Sequence, residues 1–277
     1  MEIKLTLQCL RHPAVIPASY QYELSCWIYR VLREADLIYA HFLHEKGYLD
    51  ERKSFKMFCF SHLHIRDYEI IGDRIRVLSP EVELTLRFCV YNIVEDFIEG
   101  LFKKQRFCLG DRKSRACFEV KTIRAEALNL PDSTGEYLST RVRMSTPLVI
   151  SRKLPGQRSD EYLAPEDPDF GRLLIGNLLS KYRAFSQKSE SECYSEAELS
   201  FRLLTDERMP RSKLITIKSG TPQETRVRGW LIDFEITAPR ELIAIGMLAG
   251  WGRANSQGFG FGRILFPRPA SPSTRRS

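Results

Sequence analysis

The sequence predicts an α+β protein made of two tandem ferredoxin-like domains, residues 1–128 and 129–277. Its length of 277 residues corresponds to two domains at roughly 150 residues each. Hydrophobic residues make up 43% of the chain and charged residues 28%, a mixture typical of globular proteins. Both halves show the order strand, helix, strands, helix, strand, which suits helices packed on one face of an antiparallel sheet.

The first half begins with a strand over residues 2–10, where apolar and polar side chains alternate. A helix over 20–34 follows, because apolar residues recur there at helical spacing. A second, short helix over 36–46 ends before Gly47, a residue suited to the left-handed position after a helix. The remaining elements predicted in this half are strands at 54–65, 68–72, 73–78 and 82–90, a helix at 91–105, and strands at 106–110 and 115–128.

The second half begins after residues 129–135, whose turn-forming composition predicts a linker. Its last helix is expected to begin at Pro239, a residue that fits the first helical position, and to run to Leu248. The tail from residue 267 is expected to be disordered. The remaining elements predicted in this half are strands at 141–154, 198–205, 212–220, 226–238 and 260–266 and a helix at 170–185.

The net charge of +7 favours a polyanionic partner, either nucleic acid or an anionic membrane surface. The first residues alternate in polarity, unlike a signal peptide, and the most apolar late stretch, 242–252, is about half the ~20 residues of a membrane span. We therefore expect a cytoplasmic protein without a membrane partner. The basic residues concentrate in 101–127, 141–158 and 251–277, whereas residues 159–200 are net acidic, and such basic segments suit contacts with RNA phosphates.

The seven cysteines favour free thiols over a disulfide framework or a zinc site. Seven is an odd number, no two cysteines form a Cys-x-x-Cys pair, and most lie in apolar stretches. We therefore expect buried free thiols in a reducing compartment. The cysteines are Cys9, Cys26, Cys59, Cys89, Cys108, Cys117 and Cys193.

A glycine-rich segment at residues 250–262 is the most specific motif, with five of the chain's 16 glycines. Glycine lets the backbone approach a ligand closely, so that exposed N–H groups can hold a phosphate. Arg253 adds a guanidinium that suits the same ligand. The segment follows a helix instead of preceding one, which argues against a dinucleotide site or an NTPase phosphate loop. A tight structural turn beside a sheet is the alternative.

The pattern Gly-x-Gly-x-x-Asn-Ser-x-Gly-x-Gly in this segment resembles the C-terminal signature of CRISPR-associated protein six, a family of repeat-processing endoribonucleases of the RAMP superfamily. The signature residues are Gly250, Gly252, Asn255, Ser256, Gly258 and Gly260. The strings LSCWIYRVL, FLHEKG and FKMFCFS match the family's N-terminal half in order and spacing, and STPLVI and SKLITIKSG match later segments. The resemblance covers nearly the whole chain and implies two RRM-like (RAMP) domains.

The resemblance implies cleavage of precursor CRISPR RNA within its repeats, without a metal or other cofactor. The 2′-hydroxyl upstream of the scissile phosphate attacks, which gives a 2′,3′-cyclic phosphate (or 3′-phosphate) and a 5′-hydroxyl. By position, the family's Tyr, His and Lys carry over to Tyr29, His44 and Lys56. RNA contacts are expected at the signature residues and Arg253, and at Arg141 and Arg143 in the basic segment 141–158.

His44 is the catalytic candidate that the residues themselves support best. It lies in the last turn of the predicted short helix, where the helix dipole favours the imidazolium that a general acid requires. His41, one turn earlier on the same face, is the alternative. Tyr29 flanks the apolar stripe of its helix, so its hydroxyl can reach a cleft while its ring packs. Lys53 is the alternative to Lys56, because the loop after His44 is longer than in some relatives.

Two other functions stay open at this point. A RAMP-type subunit could hold processed guide RNA in an effector complex without cutting it. A metal enzyme is the third class, because all five His lie within residues 12–64 and include the pairs His41-x-x-His44 and His62-x-His64. The sequence also leaves open whether other effector subunits or a second copy of the chain bind the protein.

Overall fold

The computed structural model describes residues 1–132, 135–154, 156, 160–188, 194–206, 208–219 and 221–266. The tail from residue 267, which the sequence predicts to be disordered, and Cys193 lie outside the described residues. None of the helices in these ranges is long and apolar enough to cross a bilayer.

The first half contains three helices and eleven strands, and most of them lie within a few residues of the predicted bounds. These elements are β1 (Glu2–Cys9), β2 (Ala14–Pro17), α1 (Gln21–Ala35), α2 (Leu37–Glu45), β3 (Tyr48–Asp50), β4 (Lys53–Phe55), β5 (Phe58–Phe60), β6 (His64–Ile65), β7 (Tyr68–Ile71), β8 (Arg74–Val77), β9 (Glu81–Phe88), α3 (Tyr91–Lys103), β10 (Arg106–Gly110) and β11 (Arg115–Glu126). The predicted strand 54–65 is divided into three short strands, and Met57, with a positive φ of 54°, lies at the break between the first two.

The second half repeats this plan with a hairpin inserted into it. Its elements are β12 (Tyr137–Met144), β13 (Ser151–Arg152), β14 (Glu161–Tyr162), α4 (Phe170–Ser186), β15 (Ser200–Leu204), β16 (Arg211–Ile217), β17 (Thr225–Leu231), β18 (Asp233–Pro239), α5 (Arg240–Ala249) and β19 (Gly262–Ile264). The predicted strand 226–238 is two strands that separate at the buried Ile232. Helix α5 begins at Arg240, one residue later than predicted, and Pro239 is its N-cap.

The two main sheets share one strand order, which confirms two ferredoxin-like units. In the first sheet the order is β10-β11-β1-β9-β5. If β1, β5, β9 and β11 are numbered first to fourth along the chain, their order across the sheet is fourth, first, third, second. In the second sheet the order is β15-β18-β12-β19. Starting from β19, these strands are also the fourth, first, third and second of their set along the chain. All of these pairings are antiparallel. The predicted fold class is therefore correct.

The two halves share part of their packing. Phe55 and Met57, from the first half, lie in the core cluster of the second half. Arg87 of β9, only 7% exposed, pairs with Glu2 at 2.6 Å. Its guanidinium also donates to the Gly262 carbonyl oxygen at 2.6 Å. A buried charge with an ionic and a carbonyl partner is a strong link between the sheets.

The expectation of seven free thiols is wrong. Cys108 and Cys117 form a disulfide between β10 and β11, where they lie directly opposite each other. The cause is the strand register, which brings together two positions nine residues apart and which cysteine spacing does not reveal. The free cysteines among the described residues are Cys9, Cys26, Cys59 and Cys89, of which Cys9 and Cys59 are buried.

Candidate active site

A cleft of about 770 Å³ opens between the halves. The segment that follows β3, including Lys56, lines one wall, and the glycine-rich loop (residues 250–262) lines the opposite wall from Gly252 to Gln257. Helix α4 contributes Arg172 and Lys181 to the surface between them. The halves thus form a concave site in which positive side chains predominate.

His44 lies in the last turn of α2, as predicted, next to Gly47, whose φ is +67°. Its side chain is 64% exposed, and its Nδ1 lies 2.8 Å from the Glu45 carboxylate. This hydrogen bond holds the pKa of Glu45 below its ordinary value. An exposed imidazole with one nitrogen held by a carboxylate keeps the other nitrogen available for a ligand.

Tyr29 joins His44 to the glycine-rich loop. The rings of Tyr29 and His44 meet edge to face with centroids 5.2 Å apart, and Phe58 packs on Tyr29 at 5.6 Å. Burial raises the pKa of Tyr29 to about 12, and a hydrogen bond with the Ser256 side chain opposes this shift. The phenol is therefore protonated at neutral pH and contacts both the helix that carries His44 and the loop.

Lys56 completes this group of side chains. Its Nζ donates to the His44 carbonyl oxygen at 2.8 Å. Burial lowers its pKa, and the Glu45 carboxylate opposes that effect. Lys53, the alternative cation, instead donates to Ser180 on α4 at 3.0 Å. The structure therefore gathers Tyr29, His44 and Lys56, and directs Lys53 elsewhere.

Five residues of the glycine-rich loop have a positive φ: Gly250, Gly252, Gly258 and Gly260, and also Ala254 at 59°. All four glycines are buried. A Cβ atom on Gly252 would come within 2.5 Å of the Val149 carbonyl oxygen, so neighbouring backbone occupies the space that a side chain needs. Glycine is thus required here for close backbone packing, whatever the loop binds.

Asn255 closes the loop from inside. Its Nδ2 donates to the Trp251 carbonyl oxygen at 2.9 Å and to the Phe259 carbonyl oxygen at 3.2 Å. Trp251 and Phe259 are fully buried, so their role is packing and they are not available for stacking on RNA bases. The backbone and side chains that remain at the cleft surface belong to residues 252–257.

Lys181 is the residue near the site that sequence reasoning missed. It is 2% exposed, and its Nζ donates to the Gly252 carbonyl oxygen at 2.8 Å and to Asn255 Oδ1 at 2.7 Å. It also donates to the Gly250 carbonyl oxygen. A lysine in an acidic segment is normally predicted to be exposed to solvent. The sequence signal for its burial is its position on the same helix face as Leu178 and next to Tyr182, both of which are buried.

The predicted arginine contacts lie in two places. Arg253 is 50% exposed at the cleft, where it pairs with Asp160 and donates to Ser151. Arg141 and Arg143 lie on β12, away from the cleft lining, where Arg143 bonds Asp233 through two guanidinium nitrogens, with Nε at 2.8 Å. Arg141 approaches Glu235 at 3.6 Å. Only Arg253 of the three shares the cleft with Lys56.

A basic hairpin beside the cleft is a second feature absent from the sequence prediction. Strands β16 and β17 pair from Arg211–Leu231 to Ile217–Thr225 and carry Arg211, Lys213, Arg226 and Arg228 at exposed positions. The apolar side of the hairpin packs through Ile217 and Val227 on Val149 and Phe259. Val227 lines the cleft, and Arg211 and Lys213 lie on the same face of the hairpin as Val227, whereas Arg226 and Arg228 lie on the opposite face.

A metal centre finds no support in the geometry. Within the described ranges, no three His, Cys, Asp or Glu side chains are close enough together to hold a metal ion. His41 and His44, the predicted pair nearest the cleft, are both exposed at the end of α2.

Two models of one protein family match most of the chain. Residues 15–124 match the family described as CRISPR-associated protein Cas6, N-terminal, and residues 130–264 match CRISPR associated protein Cas6, C-terminal. A CRISPR-associated endoribonuclease Cas6 from Methanocaldococcus jannaschii is 27% identical over 260 residues, which are 94% of this chain and 91% of that protein.

Two solved structures have the same fold. One, from the characterization of a Cas6-related gene from Pyrococcus furiosus, superposes with a TM-score of 0.78 at 23% identity and covers 97% of this chain and 99% of its own. The other, a RAMP protein binding different RNA substrates, has a TM-score of 0.77 at 20% identity and covers 96% and 100%. Since the two Cas6 models match 15–124 and 130–264, the chain belongs to the Cas6 family of CRISPR-associated proteins.

Proposed function

We propose that the protein cuts precursor CRISPR RNA within its repeats, by attack of a 2′-hydroxyl on the adjacent phosphate and without a metal ion. The observation that carries the proposal is the contact group formed by Tyr29, His44 and Lys56, of which Lys56 lines the positive cleft. The similarity to a named Cas6 endoribonuclease supports the same reaction class.

Each side chain suits one part of the reaction. His44 as imidazolium gives a proton to the departing 5′-oxygen, which leaves as a hydroxyl. Lys56 neutralises the charge that develops on the phosphorane oxygens. Tyr29, whose pKa is raised to about 12, is a hydrogen-bond partner that positions the 2′-hydroxyl, because a protonated phenol does not act as a base. The proton of the attacking 2′-hydroxyl passes to a solvent water molecule as the new P–O bond forms and the bond to the 5′-oxygen breaks. The products of cleavage are a 2′,3′-cyclic phosphate (or 3′-phosphate) and a 5′-hydroxyl.

RNA binding rests on the surface around these groups. Arg253, the loop residues 252–257, and Arg211 and Lys213 on the Val227 face of the β16–β17 hairpin supply donors for phosphates. Arg141 and Arg143 are proposed as contacts for a more distant part of the RNA, on the exposed face of the second sheet. In this proposal Asn255 and the four buried glycines determine the shape of the loop, and Ser256 contacts the RNA through its polar atoms.

The test is single-turnover cleavage of a repeat RNA, read on a denaturing gel with and without EDTA. His44→Ala is expected to lower the cleavage rate by roughly 10²-fold or more, as loss of a general acid does, while RNA affinity is retained. His41→Ala, on the same exposed helix face, is the matched control and is expected to cleave at the wild-type rate. A 2′-deoxy nucleotide before the scissile phosphate should block the cut.

Three outcomes would contradict the proposal. RNA that binds but stays intact would make the protein a guide-RNA-binding RAMP subunit. Cleavage that EDTA abolishes would require a metal mechanism. A defect in His41→Ala with normal cleavage by His44→Ala would move the general acid to the preceding helical turn.

A further inference from the structure

One turn of helix α4, residues 180–183, contacts both walls of the cleft. Toward the β3–β4 hairpin, Arg183 bonds Asp50 in bidentate geometry, Nε to Oδ1 and Nη2 to Oδ2, both at 2.9 Å. The two side chains are 19% and 10% exposed. Lys53 of the same hairpin donates to Ser180, which is fully buried. Partly buried, bidentate Arg–carboxylate pairs fix orientation as well as distance.

The same turn holds the opposite wall through Lys181. All three of its acceptors are uncharged oxygens of the glycine-rich loop, the carbonyls of Gly250 and Gly252 and the side chain of Asn255. Burial lowers the pKa of Lys181 to about 7, so removing this amine from water is costly. Three hydrogen bonds to one loop are the compensation that the structure provides.

The two walls carry the groups proposed for catalysis. The hairpin connects His44 to Lys56, since β3 begins four residues after His44 and Lys56 follows β4 directly. Ser54 donates to the Lys46 carbonyl oxygen and closes the hairpin on the end of α2. On the other wall, the Ser256 carbonyl oxygen of the loop accepts a hydrogen bond at 2.6 Å from Ser25 on α1, the helix that carries Tyr29. The α4 turn is thus the common support of both sets.

We propose that Lys181 and Arg183 are positioning residues for RNA cleavage, which fix the glycine-rich loop and the β3–β4 hairpin relative to each other. The proposal rests on the proposed function, because the positioned groups are those assigned to catalysis there. Neither residue needs to touch the RNA. A displacement of about 1 Å between reacting groups costs on the order of 10²-fold in rate, so a rigid support on one helical turn has kinetic consequences.

The test uses the full-length protein and separates rate from affinity. Arg183→Met and Lys181→Met are expected to lower the single-turnover cleavage rate by roughly 10-fold or more, with a Kd for the repeat RNA within about threefold of wild type. Arg183→Lys should keep the charge and still lose rate, because lysine lacks the bidentate fork. The exchanged pair Asp50→Arg with Arg183→Asp should recover much of the loss. Arg76→Met, which breaks the exposed Arg76–Glu69 pair at 3.2 Å, is the control.

Hydrogen–deuterium exchange gives a readout that does not depend on cleavage. Arg183→Met should increase exchange over residues 48–55, and Lys181→Met should increase it over residues 250–260, with little change elsewhere. Wild-type cleavage rates in both variants would overturn the proposal, as would unchanged exchange in both segments. A rate loss that the exchanged pair leaves uncorrected would overturn the part assigned to Arg183. If the wild type does not cut repeat RNA, the proposed function fails, and the exchange data still decide whether the turn supports both walls.

Discussion

At the residue scale, the site depends on side chains whose surroundings change their chemistry. Tyr29 and Lys181 are the clearest cases, because burial raises the pKa of the first to about 12 and lowers that of the second to about 7. Tyr29 is thereby limited to hydrogen bonding at neutral pH. Lys181 titrates in the neutral range, where an ordinary lysine is fully charged.

The shift of Lys181 makes a pH-dependent contribution to stability. Its pKa falls from 10.5 to about 7 on folding, so between these values the unfolded chain binds the extra proton. Stability contributed by this group therefore rises with pH over that range. The free energy of unfolding of the wild type, relative to that of Lys181→Met, is expected to increase from pH 7 to pH 10 in urea titrations.

The comparison with Lys181→Met isolates this effect from its titratable neighbours. Cys59 and Cys89 face Lys181, and burial raises the pKa of each to about 12, which lowers stability at high pH in both proteins. Their contribution cancels in the difference. A difference that stays constant or declines from pH 7 to pH 10 would show that the amine keeps its charge, held by its three oxygen acceptors.

At the element scale, the sequence predicts the helices well and the loops incompletely. Helix α1 lies within one residue of its predicted bounds, because the helical spacing of its apolar residues specifies it. The glycine-rich loop is recognisable from composition, since positive φ and close backbone contact both require glycine. The Cys108–Cys117 disulfide and the contacts of Lys181 depend on strand register and helix rotation between distant segments, which local patterns do not encode.

The loop can be tested by comparing two glycines that share a left-handed backbone. Gly72, at φ +60°, has no atom within 4 Å of an added Cβ, so Gly72→Ala should cost only about 1 kcal/mol of conformational strain. Gly260, at φ +74°, would direct a Cβ into the Trp251 carbonyl oxygen. Gly260→Ala should therefore lower the melting temperature further than Gly72→Ala and weaken RNA binding as well.

Calorimetry and RNA titration of both variants provide the measurement. The Gly72→Ala variant, with its change in the exposed β7–β8 turn, is expected to bind RNA with wild-type affinity. Equal melting temperatures for the two variants would mean that the loop relaxes around the new methyl group. If a folded Gly260→Ala variant binds RNA with wild-type affinity, RNA recognition does not depend on the shape of this loop.

At the scale of the whole molecule, the cleft exists because two similar units are packed as one body. The net charge of +7 is unevenly distributed, and the basic β16–β17 hairpin adjoins the cleft while the acidic Asp160 and Glu196 also line it. Duplicated strand order explains the two sheets, yet the contacts between them are not duplicated. Phe55, Met57 and Arg87 extend from the first half into the second.

These shared contacts predict that the two halves unfold together. Phe55 and Met57 are 9% and 1% exposed within the second core, so separating the halves would expose apolar surface in both. Differential scanning calorimetry of the full chain is expected to show one transition, with equal van't Hoff and calorimetric enthalpies. Arg87→Met should lower its midpoint, because Glu2 and the Gly262 carbonyl lose a buried cationic partner, a loss of about 3 kcal/mol or more. Two resolved transitions in the wild type would instead show that each half unfolds on its own, and the cleft geometry would then depend on bound RNA to hold the halves in place.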